Sequence, residues 1–165
     1  MSHPLPRPAT TADLMDVIEL LTQVWPEENN EGRWHEYLQE QEESGNGARR
    51  GVWVLDDDGR VLAVATVERR RPKTIEGRTW PVYLAYLTTD RDHRREGHAA
   101  RLEHHVMREL EQQGYSGAYL RVNREERGWK EALEFWERQG WEQTVGSPPI
   151  LMIKQTATSP PLGPS

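Results

Sequence analysis

The chain has 165 residues, enough for one ordinary domain but too few for two large ones. Leu, Ile, Val and Phe number only 31, a level at which disorder is a fair expectation; against it stand a net charge of only −6, seven Trp and five Tyr. There is no apolar run long enough to cross a membrane, and the absence of Cys excludes a disulfide framework, a Cys-zinc site and a thiol nucleophile. The proline-rich start has no apolar h-region, so a secretory signal is not expected and a cytoplasmic protein is. Mild acidity argues against general nucleic-acid binding. The excess of Arg over Lys, 18 to 3, reads as a GC-rich genome rather than a function.

Thr11 reads as an N-cap, with Leu14, Val17, Ile18 and Leu21 following at helical spacing until Pro26 stops the helix near Trp25. A second helix is expected over Gly32 to Glu43, with Trp34, Tyr37 and Leu38 on one side. GVWVLDD and RVLAVATVERR read as a hairpin turning at Asp57, Asp58 and Gly59. A loop over Pro72 to Arg78 leads to a strand, TWPVYLAYLTT. Ala99, Leu102, Val106 and Leu110 mark a helix that ends at Gly114. GAYLRV is a strand, and Trp129, Ala132, Leu133 and Trp136 mark a last helix closed by Gly140. WEQTV and ILMIK are final strands separated by GSPP. A single α/β domain over 1–154 is expected, with a mixed, mostly antiparallel central sheet and helices on both faces. Residues 155–165 read as a disordered Pro/Ser/Thr tail.

The stretch LTTDRDHRREGHAARL is strand, short loop, then helix. At such a junction loop amides lie beside the unpaired N–H groups of the first helical turn, where the helix dipole adds positive potential. That combination receives phosphate. Gly97 allows a close backbone approach, Ala99 keeps the first turn small, and Arg94 and Arg95 add charge. The glycine patterns of P-loop and dinucleotide-binding proteins are absent.

The segment Arg94-Arg95-Glu96-Gly97-His98-Ala99 resembles the pyrophosphate loop of the GCN5-related N-acetyltransferases, the GNAT family: Arg or Gln, two residues, Gly, one residue, Gly or Ala. The likeness runs over about residues 5–154, through LPRPATTADLMDVIELL at the start and FWERQGW late in the chain. It implies a GNAT fold with acetyl-CoA as cosubstrate, its pyrophosphate on the amides of Arg94, Arg95, Glu96, Gly97, His98 and Ala99. The backbone of Leu87 and Thr89 would hold the thioester carbonyl and the pantetheine arm. The implied reaction is direct transfer of the acetyl group to a primary amine of a small molecule or protein. The family commonly pairs subunits, so the resemblance allows a homodimer, although no residue pattern here fixes the oligomer.

Two family features are missing. Trp129 stands where an Asn is frequent, with Asn123 earlier in the chain, and Trp136 stands where a Tyr often protonates the leaving thiolate. An indole N–H is too weak an acid for that step, although a thiol of pKa about 8.5 leaves readily enough without help. The missing Tyr keeps an alternative open: a regulatory module that binds CoA without catalysis. For the general base, Glu68 is the first candidate and His93 the second.

No spacing of His, Asp or Glu reads as a metal site, and His104 and His105 point apart on one helix, so no metal is expected. Trp129, Trp136 and Trp141 read as core. Arg49, Arg50, Arg69, Arg70 and Arg71 read as a solvated guard on an edge strand. Residues 27–43 hold seven Glu and one Arg, a solvated helix face whose charge would also attract a cationic amine acceptor.

Overall fold

The computed structural model describes residues 3–146 and 149–156. Nine strands and four α-helices follow in the order β1 (Leu5–Pro8), α1 (Leu14–Thr22), α2 (Glu31–Ser44), β2 (Arg50–Asp57), β3 (Arg60–Glu68), β4 (Lys73–Ile75), β5 (Arg78–Trp80), β6 (Val82–Thr89), α3 (His98–Gln112), β7 (Gly117–Val122), α4 (Trp129–Arg138), β8 (Glu142–Gln143) and β9 (Ile150–Gln155) among those residues. Seven strands hydrogen-bond in the order β1-β2-β3-β6-β7-β9-β8, and β4 pairs with β5 in a separate two-stranded sheet. The sheet is mixed and mostly antiparallel, with β6 and β7 parallel, as expected. Contacts group the chain into two compact units, one running to Arg69 and including Leu84–Val106, the other holding Arg70–Tyr83 and the residues from Met107 on.

The first unit is built on the β2–β3 hairpin, in register from Arg50↔Glu68 to Asp57↔Arg60. Asp58 and Gly59 close it with φ of +52° and +92°, the two left-handed residues that a two-residue turn between twisted strands requires. The amide of Gly59 also donates to Asp56 Oδ1 at 2.8 Å. α1 and α2 cover one face of this hairpin, where Val52, Val54 and Val64 pack with Val17, Leu21, Trp34 and Leu38, and Tyr86 of β6 joins the same cluster. Each such fully buried aliphatic side chain contributes about 1.5–3 kcal/mol. The opposite-facing residues Trp53, Leu55, Ala63 and Ala65 are equally buried, so both faces of the hairpin are covered. Where β1 stops pairing, Gln41 of α2 takes over. Its Nε2 donates to the carbonyls of Ala9 and Val52 at 2.9 Å, and its Oε1 accepts from the Val52 amide at 2.8 Å.

The first helical segment starts one residue earlier than expected, but as a 3-10 turn, with the α-helix itself beginning only at Leu14. Asp13 accepts from the Thr10 amide at 2.8 Å, so Thr10 is the cap, and Thr11–Asp13 form one 3-10 turn ahead of α1. Thr11 instead donates from its amide and hydroxyl to Glu42 Oε1. Asn30 caps α2 by accepting from the Arg33 amide at 3.0 Å.

In the second unit the expected loop over Pro72 to Arg78 is the β4–β5 hairpin, turned by Glu76 and Gly77 at φ of +52° and +83°. The single strand expected from Thr79 onward is divided at Pro81, which has no N–H to offer a ladder, so β5 ends at Trp80 and β6 begins at Val82. Ile75, Trp80 and Tyr119 are buried with Tyr83, Leu151 and Ile153 packed on them. Trp80 lies so close to Gly117 that a Cβ there would fall 2.6 Å from its ring. The expectation of three core tryptophans holds only for Trp141, which is 2% exposed; Trp129 and Trp136 are half-buried, and α4 has no buried residue. The fold runs past the expected domain end: Gln155 belongs to β9, and the buried Thr156 donates to the carbonyls of Ser116 and Tyr115. The rest of the expected tail, residues 157–165, and 147–148 of the GSPP turn lie outside the described residues.

The arginine cluster divides: Arg49, Arg70 and Arg71 are exposed as expected, but Arg50 and Arg69 are buried and the hairpin carries no edge at β3. β3 lies between β2 and β6, and the edge strands of the seven are β1 and β8. Arg50 is buried beside Glu68 and over the rings of Trp34 and Tyr37, and Arg69 is buried with its Nη1 donating to the Ala48 carbonyl.

Candidate active site

The loop after β6 is fixed before it reaches the helix. The Asp90 amide donates to the Leu62 carbonyl of β3 at 2.8 Å, and the His93 amide returns to the Asp90 carbonyl at 2.8 Å, closing a 3-10 turn over Arg91–His93. Burial alone would push the Asp90 carboxyl upward. The hydrogen bond from Gln23, a backbone bond from Asp92 and the nearby His93 and Arg60 outweigh burial and hold it below the ordinary carboxylate range.

The next residues turn sharply. Arg95 has φ of +66° and Gly97 +83°, with Glu96 between them outside that region. Left-handed residues in a tight turn can point neighbouring N–H groups toward one side, an arrangement that receives anions. The Arg101 amide donates to the Gly97 carbonyl at 3.1 Å, so α3 begins at His98 with its first amides free of helical partners. A Cβ built on Gly97 meets nothing within 4 Å, so the space in front of this turn is open. Arg94 and Arg95 are exposed at its rim. The backbone, the open space and the local charge therefore fit a pyrophosphate. Open depressions of about 820 Å³, beside Arg7 and Asp56, and about 560 Å³, beside Glu76 and Trp80, contain no residue of this loop.

Leu87 is half-buried and Thr89 buried, near the end of β6. They alternate with Tyr86, whose ring packs on the α1–α2 side, so their side chains face the other side of the sheet. Arg94 to Ala99, Leu87 and Thr89 thus all belong to the first unit, within one strand–loop–helix segment.

The two proposed bases are not brought together. His93 lies in the loop, half-buried. Glu68 ends β3, six residues beyond Leu62, the residue that receives the Asp90 amide. At strand rise that is about 20 Å along β3. The Glu68 carboxylate accepts from Arg50 Nη2 at 2.7 Å.

A carboxylate that sequence reasoning missed sits nearer the end of β6. Glu28 accepts hydrogen bonds from the hydroxyl of Tyr86 and from Trp34 Nε1, the latter at 3.1 Å. Trp25 and Trp34 flank Tyr86 with ring centroids at 4.7 and 6.3 Å. In sequence Glu28 is one of seven similar Glu in an acidic stretch, and nothing there distinguishes it. Two of the others are also engaged, Glu40 with the Arg49 amide and Glu42 with Thr11, so this segment is less of a bare acidic face than its composition suggests.

A second missed grouping lies in the loop itself. His93, Glu96 and His98 offer ligand-type atoms all within 4.8 Å of one another. His98 Nε2 is 2.8 Å and His93 Nδ1 3.5 Å from the same Glu96 Oε1. His98 foremost, then His93, lowers the Glu96 carboxyl below its ordinary range.

In the second unit, Trp136 lies edge-on to Trp141 at 5.6 Å and to Phe135 at 5.1 Å, and the described α4 carries no Tyr. Asn123 Oδ1 accepts from the Glu125 amide at 2.9 Å and so serves its own turn.

A mixed, mostly antiparallel sheet with a glycine-containing loop between β6 and α3 is the architecture of the GNAT fold. The family model described as an acetyltransferase (GNAT) domain matches residues 6–144, and the chain belongs to that family. No curated protein matches it in sequence. Among solved structures it is similar to the PaiA N-acetyltransferase of Thermoplasma acidophilum in complex with coenzyme A, at 12% identity and a TM-score of 0.74 over 93% of this chain and 99% of that one. It is similar to the ribosomal-protein-alanine N-acetyltransferase of Brucella melitensis, at 18% identity and a TM-score of 0.71 over 92% and 99%. It also resembles a GNAT family N-acetyltransferase of Escherichia coli in complex with CoA, at 18% identity and a TM-score of 0.64 over 95% and 83%. At these identities the likeness is one of fold.

Proposed function

We propose that the chain is an N-acetyltransferase that uses acetyl-CoA to acetylate a primary amine of a small molecule or protein by direct transfer. The observation that carries this reading is the turn at Arg95 and Gly97, with open space before it and the first amides of α3 behind it. Those amides, with Arg94 and Arg95, would bind the pyrophosphate, and the backbone of Leu87 and Thr89 would hold the thioester carbonyl and the pantetheine arm. Acetyl-CoA supplies an activated acyl group with a thiolate leaving group. The chain contributes orientation, N–H groups that stabilise developing negative charge, and removal of a proton from the amine.

For that last role Glu28 stands ahead of Glu68 and His93. It is bonded to Tyr86, the residue preceding Leu87, and the phenol offers a route for a proton from the acceptor to the carboxylate. Glu68 is already shared with Arg50. A CoA-binding module without turnover is the competing reading, favoured by the lack of a phenol at Trp136. Thiol release measured with acetyl-CoA across a panel of amines separates the two: turnover above the hydrolysis background with any amine supports the enzyme, and saturable binding without it supports the module.

A further inference from the structure

We infer that His93, Glu96 and His98 form a site for a divalent transition metal of the zinc class. The three residues follow one another as H-x-x-E-x-H, a spacing that would scatter them on a regular helix. They converge because the chain between them is not helical. Arg95 and Gly97 both take positive φ, folding Glu96 back between the two imidazoles.

The geometry is close to that of a three-ligand set. Zinc bonds of about 2.0–2.1 Å in a tetrahedral arrangement place ligand atoms about 3.3–3.4 Å apart. Here the His93 Nδ1 to Glu96 Oε1 distance is 3.5 Å and the His98 Nε2 to Glu96 Oε1 distance 2.8 Å. The remaining edge, between the two imidazole nitrogens, is no longer than 4.8 Å. Binding would require side-chain rotations that bring all three atoms to a common centre. Both imidazoles are largely buried, at 25% and 12% side-chain exposure, while Glu96 at 51% leaves one side of the group open to solvent. That leaves a fourth position for water or another small ligand.

Ligand chemistry selects the ion. Two imidazole nitrogens and one carboxylate oxygen suit Zn²⁺ and its neighbours Co²⁺ and Ni²⁺, whereas Mg²⁺ and Ca²⁺ take oxygen-rich sets. The N-terminus of α3 opposes a cation, but the ionised Glu96 offsets it directly at the site. The same six residues, Arg94 to Ala99, carry the backbone that receives an anion. Metal occupancy would therefore hold that loop in one conformation and replace the negative charge of Glu96 by a net positive one.

The test uses the full chain, stripped with chelator and free of nucleotide, titrated calorimetrically with ZnCl₂ in a non-coordinating buffer. One Zn²⁺ is expected to bind per chain, unaffected by a large excess of Mg²⁺, and Co²⁺ in its place should give the visible bands of a nitrogen- and oxygen-ligated ion of low coordination number. Glu96→Gln and His98→Ala should each weaken Zn²⁺ by at least about tenfold, since loss even of an outer-shell partner typically costs 10–100-fold. His35→Ala and His104→Ala, at exposed histidines elsewhere, should not weaken it. Unfolding midpoints of the variants identify any that fail to fold, and His93→Ala then supplies the replacement. Absence of saturable binding, or affinity unchanged in the folded Glu96 and His98 variants, overturns the site. Because no acetyl-CoA is present, either result is independent of the proposed transferase activity.

Discussion

Gln23 fastens Asp90 to the end of α1: its Nε2 donates to Asp90 Oδ1 at 3.1 Å, while its Oε1 accepts from the neighbouring Arg91 amide at 3.0 Å. One side chain thus satisfies a carboxylate and a backbone donor at the start of the β6–α3 loop. Its loss would leave the Arg94–Ala99 turn more conformations to give up when a ligand binds. Two hydrogen bonds, one to a charged group, are together worth about 2–4 kcal/mol, and about half of that passed on to the ligand is enough for a tenfold effect. Gln23→Ala should therefore weaken acetyl-CoA by about tenfold, since 1.4 kcal/mol is one decade. Calorimetric titration checks this, and equal affinity would show that the loop is held by its own turns alone.

Gly97 separates two effects that a single substitution would confuse. Its φ of +83° costs any L-residue about 1–2 kcal/mol, yet a Cβ there meets nothing. Gly97→Ala should lower the melting temperature modestly and keep a stabilising shift on addition of acetyl-CoA, because a ligand that binds only the folded chain stabilises it by mass action. Gly97→Glu should bear the same backbone cost and lose the shift, its carboxylate lying where the phosphates belong. Equal shifts in wild type and Gly97→Glu would remove the loop from the binding site.

What could be read in advance followed the strength of local chemistry. Asp58-Gly59 is a strong turn signal and stands as expected, whereas Glu76-Gly77 makes the same kind of turn with a residue that rarely signals one, so β4 read as loop and β5 as the start of the strand after it. The strand–loop–helix segment holding Gly97 was legible because its glycine and its place between strand and helix are sequence properties. Glu28 and the His93–Glu96–His98 group were not. Glu28 is selected by Tyr86, 58 residues away. The histidines are selected by the positive φ of Arg95, which no residue type announces. The tryptophans of α4 show the converse: an apolar stripe predicts a face, not its burial, and only Trp141 beyond the helix is enclosed.

Asp13 gives a pH prediction. Burial pushes its carboxyl up, but hydrogen bonds from Arg7 and the Thr10 amide, with the charge of Arg7, outweigh burial and lower it below the usual value. Arg7 donates to both of its oxygens, at 2.8 and 2.9 Å. A carboxyl depressed in the folded state favours folding above its unfolded value of about 3.9 and loses that contribution as pH falls through the folded value. Asp13→Asn, which keeps the shape and removes the charge, should destabilise by about 2 kcal/mol at pH 7. In urea unfolding the gap between the two proteins should be full from about pH 5 upward and narrow steadily below about pH 4. A gap that persists undiminished at pH 2–3 would assign the effect to packing rather than to charge.

The base is the last point, and two carboxylates compete for it on the α1–α2 side of the sheet. Glu28 is tied to Tyr86, one residue from Leu87, and Glu68 to Arg50 at the end of β3. At neutral pH an acceptor amine is protonated and cannot attack, so removing the base should lower turnover by about 10²-fold and abolish the acidic limb of the pH–rate profile. Glu28→Gln should do both while leaving acetyl-CoA affinity near its wild-type value. Tyr86→Phe, which keeps the ring on Trp25 and removes the hydroxyl, should lower turnover with it, and the double variant should lose little more than either alone, because the two act as one relay. Glu68→Gln leaves Arg50 buried beside a neutral partner, so its first effect should be on the unfolding midpoint. If instead Glu68→Gln removes the acidic limb and Glu28→Gln keeps it, the base stands at the end of β3, and Tyr86 with Glu28 does no more than shape the wall beside it. If both limbs survive, His93→Gln is the remaining variant, and a loss there would move the proton transfer into the loop itself.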